Sequence, residues 1–248
     1  MKFLFKGYTL LIILVILSIL SLFIGVSQLS IIDLFHLSDN QKNILFSSRI
    51  PRTISILLSG SSLALAGLVM QQMMQNKFVS PTTAGTMEWA KLGILLSLIF
   101  FPKGHILIKL TFAVALSLGG TFLFVKLINF IKVKEVIFVP LLGIMIGGIV
   151  SSFTTFIALR TNALQSIDNW LNGNFAVITS GRYEILYLAI PLLIIAYIFA
   201  NHFTIAGMGK DFSHNLGVKY EQIISIALLI TATLTALVVV TVGTLPFL

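Results

Sequence analysis

This chain of 248 residues contains no cysteine, and only 8 acidic residues stand beside its 16 lysines and arginines. Without a thiol it can form no disulfide, no thiolate metal site and no cysteine nucleophile. Charged residues make up 10% of the chain, far below the roughly 25% of a soluble domain. The histidines His36, His105, His202 and His214 stand apart, with none of the H-x-x-x-H or H-x-x-E spacings that hold a metal. No G-x-x-x-x-G-K-[ST] loop offers the usual phosphate cradle for ATP. No Asp, Glu and His residues gather into a catalytic constellation. The expectation is therefore a chain that is not an enzyme, with no catalytic residues, no metal and no cofactor of its own.

What fills the sequence instead is apolar length. Hydrophobic residues account for 57% of the chain, and mean hydropathy is +1.05. Seven runs carry no Lys, Arg, Asp or Glu: Gly7–Ile32, Thr53–Asn76, Leu92–Pro102, Leu110–Val125, Val136–Leu159, Ile185–Gly209 and Gln222–Leu248. Most reach the ~20 residues that cover ~30 Å of hydrocarbon at ~1.5 Å per residue. They predict an all-α, polytopic transmembrane bundle of about seven helices, a single membrane domain over 1–248. The first run is too long for a signal-peptide core and lacks an A-x-A-like cleavage site, so it is read as a retained helix. The net charge of +8 is scattered over short loops, with no basic stripe interleaved with aromatics. This argues for anionic headgroups rather than nucleic acid as its partner. With the N-terminus in the cytoplasm, nine basic residues fall inside against seven outside, a weak bias, while Arg49, Arg52, Arg160 and Arg182 all fall outside.

Particular runs carry further information. The third is short, and extending it back to Met87 sets Glu88 and Lys91 one turn apart; they are expected to pair near the interface while the lysine snorkels. Otherwise no run holds an acidic residue or a lysine. That argues against a proton- or ion-coupled secondary transporter, the first alternative. In the second run Gly60, Ser62, Ala64, Ala66 and Gly67 give small residues at four-residue spacing, which predicts a helix enclosed by protein. In the fifth, Gly143, Gly147, Ser151 and Thr155 form a stripe with two readings, a packing seam or the wall of a translocation pathway. Between the fifth and sixth runs, Leu164, Ile167, Trp170 and Leu171 suit a short interfacial helix, with Asp168 among them. Between the sixth and seventh, Gly209 and Gly217 bracket a short polar helix with Phe212 and Leu216 on one face, as a docking surface for a soluble partner would require.

These residues resemble the FecCD-type permease subunits of importers for iron–siderophore complexes, haem and vitamin B12. Three segments carry the resemblance. Arg49-Ile50-Pro51-Arg52, with the small-residue helix after it, is similar to the family's R-x-P-R motif, which implies that both arginines dock an external substrate-binding lipoprotein. Gln75–Gly85 resembles the R-N-P-L-A-D-P-x-x-L-G segment at Asn76, Pro81 and Gly85, while Lys77 replaces a proline. With Met87–Ala90, this looks most like the catecholate, petrobactin-type branch. Met208–Gly217 resembles the L-G-E-E-A-A-x-x-L-G segment that couples to the ATPase, and implies that role for Gly209, Lys210, Asp211, Phe212, Leu216 and Gly217. Lys210 stands where the family has an acid and Phe212 where it has a small residue.

The resemblance implies a multi-pass cytoplasmic-membrane permease that imports ferric siderophore. Its partners would be a second, identical or homologous permease, two ATPases that bind ATP and Mg, and an external binding protein. Haem or a cobalamin is the alternative cargo within the family. It also implies a ten-helix subunit, so that this chain reads as C-terminally truncated.

Overall fold

The computed structural model describes residues 7–24, 38–131, 137–165, 167 and 172–245, and every regular element among them is helical. In chain order the helices are α1 (Gly7–Phe23), α2 (Asp39–Ile44), α3 (Ile50–Met73), α4 (Thr86–Phe100), α5 (Ile106–Ile131), α6 (Phe138–Arg160), α7 (Ala189–Ile198), α8 (Ala200–Ala206), α9 (Lys210–Asn215) and α10 (Tyr220–Thr241). A π-turn, Leu45–Arg49, joins α2 to α3. The described part of each of the seven uncharged runs is largely helical.

Among the described residues, four helical stretches are long and apolar enough to cross a bilayer: Asp39–Met73, Ile106–Ile131, Phe138–Arg160 and Tyr220–Thr241. The run Ile185–Gly209, expected as one span, is broken. Its two halves bend by 57°, with Phe199 between α7 and α8. α1 with 17 residues and α4 with 15 are shorter, as expected for α4.

The chain forms two compact units, and the division falls within α3. One comprises Met1–Leu57 and Phe175–Glu184. Here Ser38 opens α2 through a reciprocal capping box with Gln41, which satisfies two orphan N–H donors at once. α1 buries no residue; its apolar surface on all sides suits contact with lipid. The Ser180 N–H donates to the Ser47 carbonyl at 3.0 Å.

The other unit, Leu58–Asn174 and Ile185–Leu248, is built around α4, which packs on α5, α6 and α10. α4 buries Thr86, Met87, Ala90, Lys91, Leu92, Gly93, Ile94, Leu95 and Ser97, so this shortest span lies inside protein. α10 is enclosed even more completely, with 72% of its most apolar window buried. Small residues permit this density where hydrophobicity cannot drive helices together. At Gly93 a Cβ would lie 2.5 Å from the Phe112 carbonyl oxygen and 2.7 Å from the Ala113 Cα, so α4 and α5 touch backbone to backbone. Hydroxyls bridge the same core: Thr86 Oγ1 and Thr121 Oγ1 lie 2.9 Å apart, and Ser117 Oγ donates to the Ala232 carbonyl.

α3 departs from expectation. Ser59, Ser62, Leu63, Ala66 and Gly67 are buried, but Gly60, Ala64 and Leu68 are exposed. The expected small-residue pairs lie on different faces of the helix, since one residue advances ~100° around it, and only one face is covered. Trp170, Leu171 and Asp168 lie outside the described residues. Ile167 is buried with Leu95 and Ala158, and Leu164 packs against them.

Candidate functional site

The segment between α8 and α10 is shaped by two glycines in left-handed backbone, Gly209 at φ +109° and Gly217 at φ +72°, a conformation that a Cβ disfavours. Between them α9 is fixed from beneath by Ser213. This side chain is fully buried, and its hydroxyl lies 3.2 Å from the Ile205 carbonyl and 2.8 Å from that of Gly209. The opposite side carries apolar groups into the open: Met208 is 58% exposed, Phe212 47% and Leu216 55%. Asp211 is exposed as well. Lys210 Nζ pairs with Glu221 Oε1 at 2.8 Å, tying the start of α9 to that of α10. This hydrogen bond, with the Glu221 charge, raises the Lys210 pKa above its ordinary value.

A contact not foreseen from the sequence lies behind this segment. A Cβ on Gly207 would meet Gln72 Oε1 at 2.7 Å and the Gln72 carbonyl at 2.9 Å, and one on Gly209 would meet Gln75 Nε2 at 3.5 Å. The end of α3 thus rests on the backbone of Gly207 and Gly209. The only advance signal was the density of glutamine at Gln71, Gln72 and Gln75, polar residues closing an apolar helix.

The turn that follows α3 is internally bonded. Asn76 Oδ1 accepts from the Phe78 N–H at 2.9 Å, the Ser80 N–H donates to Thr83 Oγ1 at 2.8 Å, and the Thr83 N–H to Ser80 Oγ at 3.2 Å. These are local side-chain turns of the kind Asn, Ser and Thr favour. Asn76 and Pro81 are buried, and Lys77, in the position of the family's proline, is exposed. Gly85, at φ +76°, starts α4 against α6: a Cβ there would lie 3.2 Å from the Gly147 Cα.

The α6 stripe therefore divides. Gly143 and Gly147 are buried and admit the 83–85 backbone, since a Cβ on Gly143 would lie 2.9 Å from the Ala84 Cα. Ser151 is half-buried and Thr155 exposed, its hydroxyl donating to the Ser151 carbonyl. Four residues advance ~400° around a helix, so a stripe in steps of four drifts by ~40° each time. The buried row instead continues through Val150, Thr154 and Ala158.

The two arginines also separate. Arg52 is exposed. Arg49 is only 7% exposed, and its Nη1 donates to the Leu22 carbonyl at 2.6 Å, satisfying an otherwise orphaned acceptor near the end of α1. Thr53 Oγ1 reaches Ser21 Oγ at 3.4 Å beside it.

Glu88 and Lys91 do pair, Oε1 to Nζ at 2.7 Å, but Lys91 does not snorkel: its side chain is 10% exposed and that of Glu88 24%. The surroundings of α4 enclose the lysine before it can reach a surface, and the pair neutralises itself there. This span thus holds both an acid and a lysine, paired as expected but enclosed rather than reaching the interface.

The sequence pattern of the FecCD transport family matches residues 12–248. The chain belongs to that family. It is 53% identical to the petrobactin import system permease protein YclN of Bacillus subtilis (strain 168), over 96% of this chain and 75% of the relative. Identity is 37% to the petrobactin import permease FatD of Bacillus anthracis, over 96% and 69%. It is 36% to the ferric-anguibactin transport permease FatD of Vibrio anguillarum, over 92% and 72%. In fold, this FecCD protein is similar to a solved metal-chelate type ABC transporter in an inward-facing conformation, with a TM-score of 0.73 at 23% identity, covering 96% of this chain and 76% of the other. Its helices and family together make it a multi-pass membrane protein.

Proposed function

We propose that this chain is the membrane-spanning permease subunit of an ATP-driven importer for ferric siderophores, of the catecholate class handled by petrobactin permeases. The observation that carries the reading is 53% identity to such a permease over 96% of the chain. The partners are a second permease, two cytoplasmic ATPases that supply the ATP and Mg chemistry, and an external binding lipoprotein. The cytoplasmic membrane is the site of action, with the N-terminus inside.

Energy enters through Gly209, Lys210, Asp211, Phe212, Leu216 and Gly217. Phe212 and Leu216 are large apolar groups held at the surface, which is costly unless a partner covers them. Ser213 and the two left-handed glycines give α9 a fixed presentation. Closure of the ATPases would displace α9, and the contact of Gly207 with Gln72 passes that displacement to α3 and the buried turn beyond it. At the outer end Arg52 holds a carboxylate of the binding protein, while Arg49 secures the backbone near it. Gly143 and Gly147 act in packing, leaving Ser151 and Thr155 as the part of the stripe open to a passing substrate.

The test is co-purification of the detergent-solubilised chain with its ATPase, comparing wild type with a variant substituted at Asp211, Phe212 and Leu216. Association lost in a variant that remains folded supports the coupling role. Association unchanged refutes it.

A further inference from the structure

Near its start, α4 is balanced from within the protein. Lys91 neutralises Glu88 at 2.7 Å, and the wall facing Glu88 is backbone, the Gly173 N–H donating to the Thr244 carbonyl at 3.0 Å. The other end of α4 has no such balance. There the Gly104 N–H donates to the Phe101 carbonyl at 2.9 Å, which fixes a tight turn, and Phe101 packs edge-to-face on Phe112 with ring centroids 5.9 Å apart. Two hollows meet on this turn at Pro102. One, of about 470 Å³, is lined by Phe101, Pro102, Lys103 and Gly104; the other, of about 370 Å³, by Leu98, Ile99, Pro102, Thr161, Asn162 and Ala163. Phe100, next in the chain, is exposed. Lys103 is exposed as well and makes no ion pair among the described residues. No Asp or Glu occurs from 89 to 134 or from 136 to 167, the stretches that build this end.

We propose that this groove seats one anionic phospholipid, with its phosphate at Lys103 and Asn162 and an acyl chain along Leu98, Ile99 and Phe101. Binding of this kind goes beyond the importer role and requires only that the chain span a bilayer. α4 is apolar and leaves the bundle at this end, so the groove lies where hydrocarbon gives way to headgroups. Its lining divides the same way. Leu98, Ile99 and Phe101 give an apolar track for methylenes. Lys103 supplies an unpaired ammonium on a stem that reaches toward the headgroups, and the Asn162 amide supplies two N–H donors. Asn162 is held in place by the end of α6: it takes left-handed backbone, at φ +53°, where the Ala163 N–H turns back to the Ala158 carbonyl at 2.9 Å in the manner of a Schellman cap. With no carboxylate at hand, the local field is positive and favours a phosphodiester; a zwitterionic lipid with the same chains gains less from it. A protein partner fits less well, since Phe100 and Phe101 would stand in water until it arrived, whereas lipid covers them at all times. Arg160 supplies an internal contrast: its guanidinium lies 5.5 Å from the centre of the Phe156 ring, and it lines neither hollow.

The experiment is native mass spectrometry of the purified full chain, released from an uncharged detergent after titration with phosphatidylglycerol, with phosphatidylcholine of the same chains as the control. The expected result is one phosphatidylglycerol retained at concentrations where phosphatidylcholine is not, with half-saturation raised about five- to tenfold in Lys103→Gln and unmoved in Arg160→Gln. Ala163→Phe, which fills the second hollow and keeps Lys103, should weaken retention as well; if circular dichroism shows it misfolded, the two surface variants decide alone. Equal retention of the two lipids, or unchanged half-saturation in Lys103→Gln, overturns the proposal. So does an equal loss in Arg160→Gln, which would make the effect one of overall charge. Displacement of the lipid by glycerol 3-phosphate alone also overturns it, since a site for free phosphate needs no chains. A fall in binding-protein affinity in Lys103→Gln, with lipid retention unmoved, gives the face to that partner instead. None of these outcomes bears on import, which is read separately by uptake of ferric chelate in cells.

Discussion

Replacing Gly93 with alanine tests whether backbone contact between α4 and α5 is what holds the bundle. The added Cβ would fall 2.5 Å from the Phe112 carbonyl oxygen and 2.7 Å from the Ala113 Cα, whereas carbon atoms settle at ~3.5–4 Å. Both obstacles are backbone, so no rotamer change relieves them, and the helices must part by about 1 Å. A gap of that size forfeits about a quarter to a half of each dispersion contact along the seam. Overpacking of this kind costs ~1–3 kcal/mol, placed here near its upper end, and alanine's better helix propensity returns up to ~1 kcal/mol. The net loss is about 2 kcal/mol, or a fall of roughly 4–8 °C in Tm for a chain of this size. The comparison is Gly119→Ala on α5, where a Cβ meets nothing within 4 Å; there propensity acts alone, and Tm should hold or rise by a few degrees. Thermal unfolding in detergent, followed by circular dichroism, gives both values. If Gly93→Ala is as stable as wild type, or Gly119→Ala loses as much as Gly93→Ala, the backbone seam is not what sets the packing.

Other perturbations separate the roles assigned above. Lys91→Met strands the Glu88 carboxylate and should cost about 3 kcal/mol, whereas Glu88→Leu with Lys91→Met should recover most of that loss in the same unfolding assay, since apolar replacement of a buried pair is tolerated better than breaking it. Arg49→Ala, which removes the donor to the Leu22 carbonyl, should destabilise the fold by about 2 kcal/mol. Arg52→Glu should leave Tm unchanged and weaken binding-protein docking by roughly 1–3 kcal/mol, read as Kd by surface plasmon resonance. The Lys210–Glu221 tie follows pH with a definite sign. Because folding raises the lysine pKa from 10.5, its contribution is full below that value and disappears as pH climbs through the raised one. The protection of amides at the start of α9, taken relative to the intrinsic base-catalysed exchange rate at each pH, should therefore fall in that alkaline window for wild type and show no such fall in Lys210→Met.

The helices were readable because lipid forbids unpaired backbone, so uncharged length translates directly into span. The bend at Phe199 was not readable, because no proline or glycine sits there to announce it. Phe212 and Leu216 were placed on an exposed face by spacing alone, and they lie there. Arg49 and Arg52 look equivalent in sequence. Only the position of the α1 carbonyls buries one and leaves the other free, and no local pattern encodes that. Gly143 to Thr155 reads as one stripe in steps of four, yet the helical period carries its far end off the seam. Lys91 was expected at a surface because its local sequence is that of a helix end. Enclosure of α4 by α5, α6 and α10 is a property of the whole bundle, invisible to a short window.

The backbone pairing of Gly173 with Thr244 also has a meaning in time. Its two halves are separated by about 70 residues of chain, and at the ~5–20 residues per second of synthesis the first half must wait several seconds for the second. During that interval α4 is already made, and Glu88 faces a wall that is only half built. Until α10 arrives, Lys91, one turn along the same helix, is the partner that α4 itself supplies for the Glu88 charge. A slowed ribosome between codons 175 and 240 should prolong the protease sensitivity of nascent chains near residue 172.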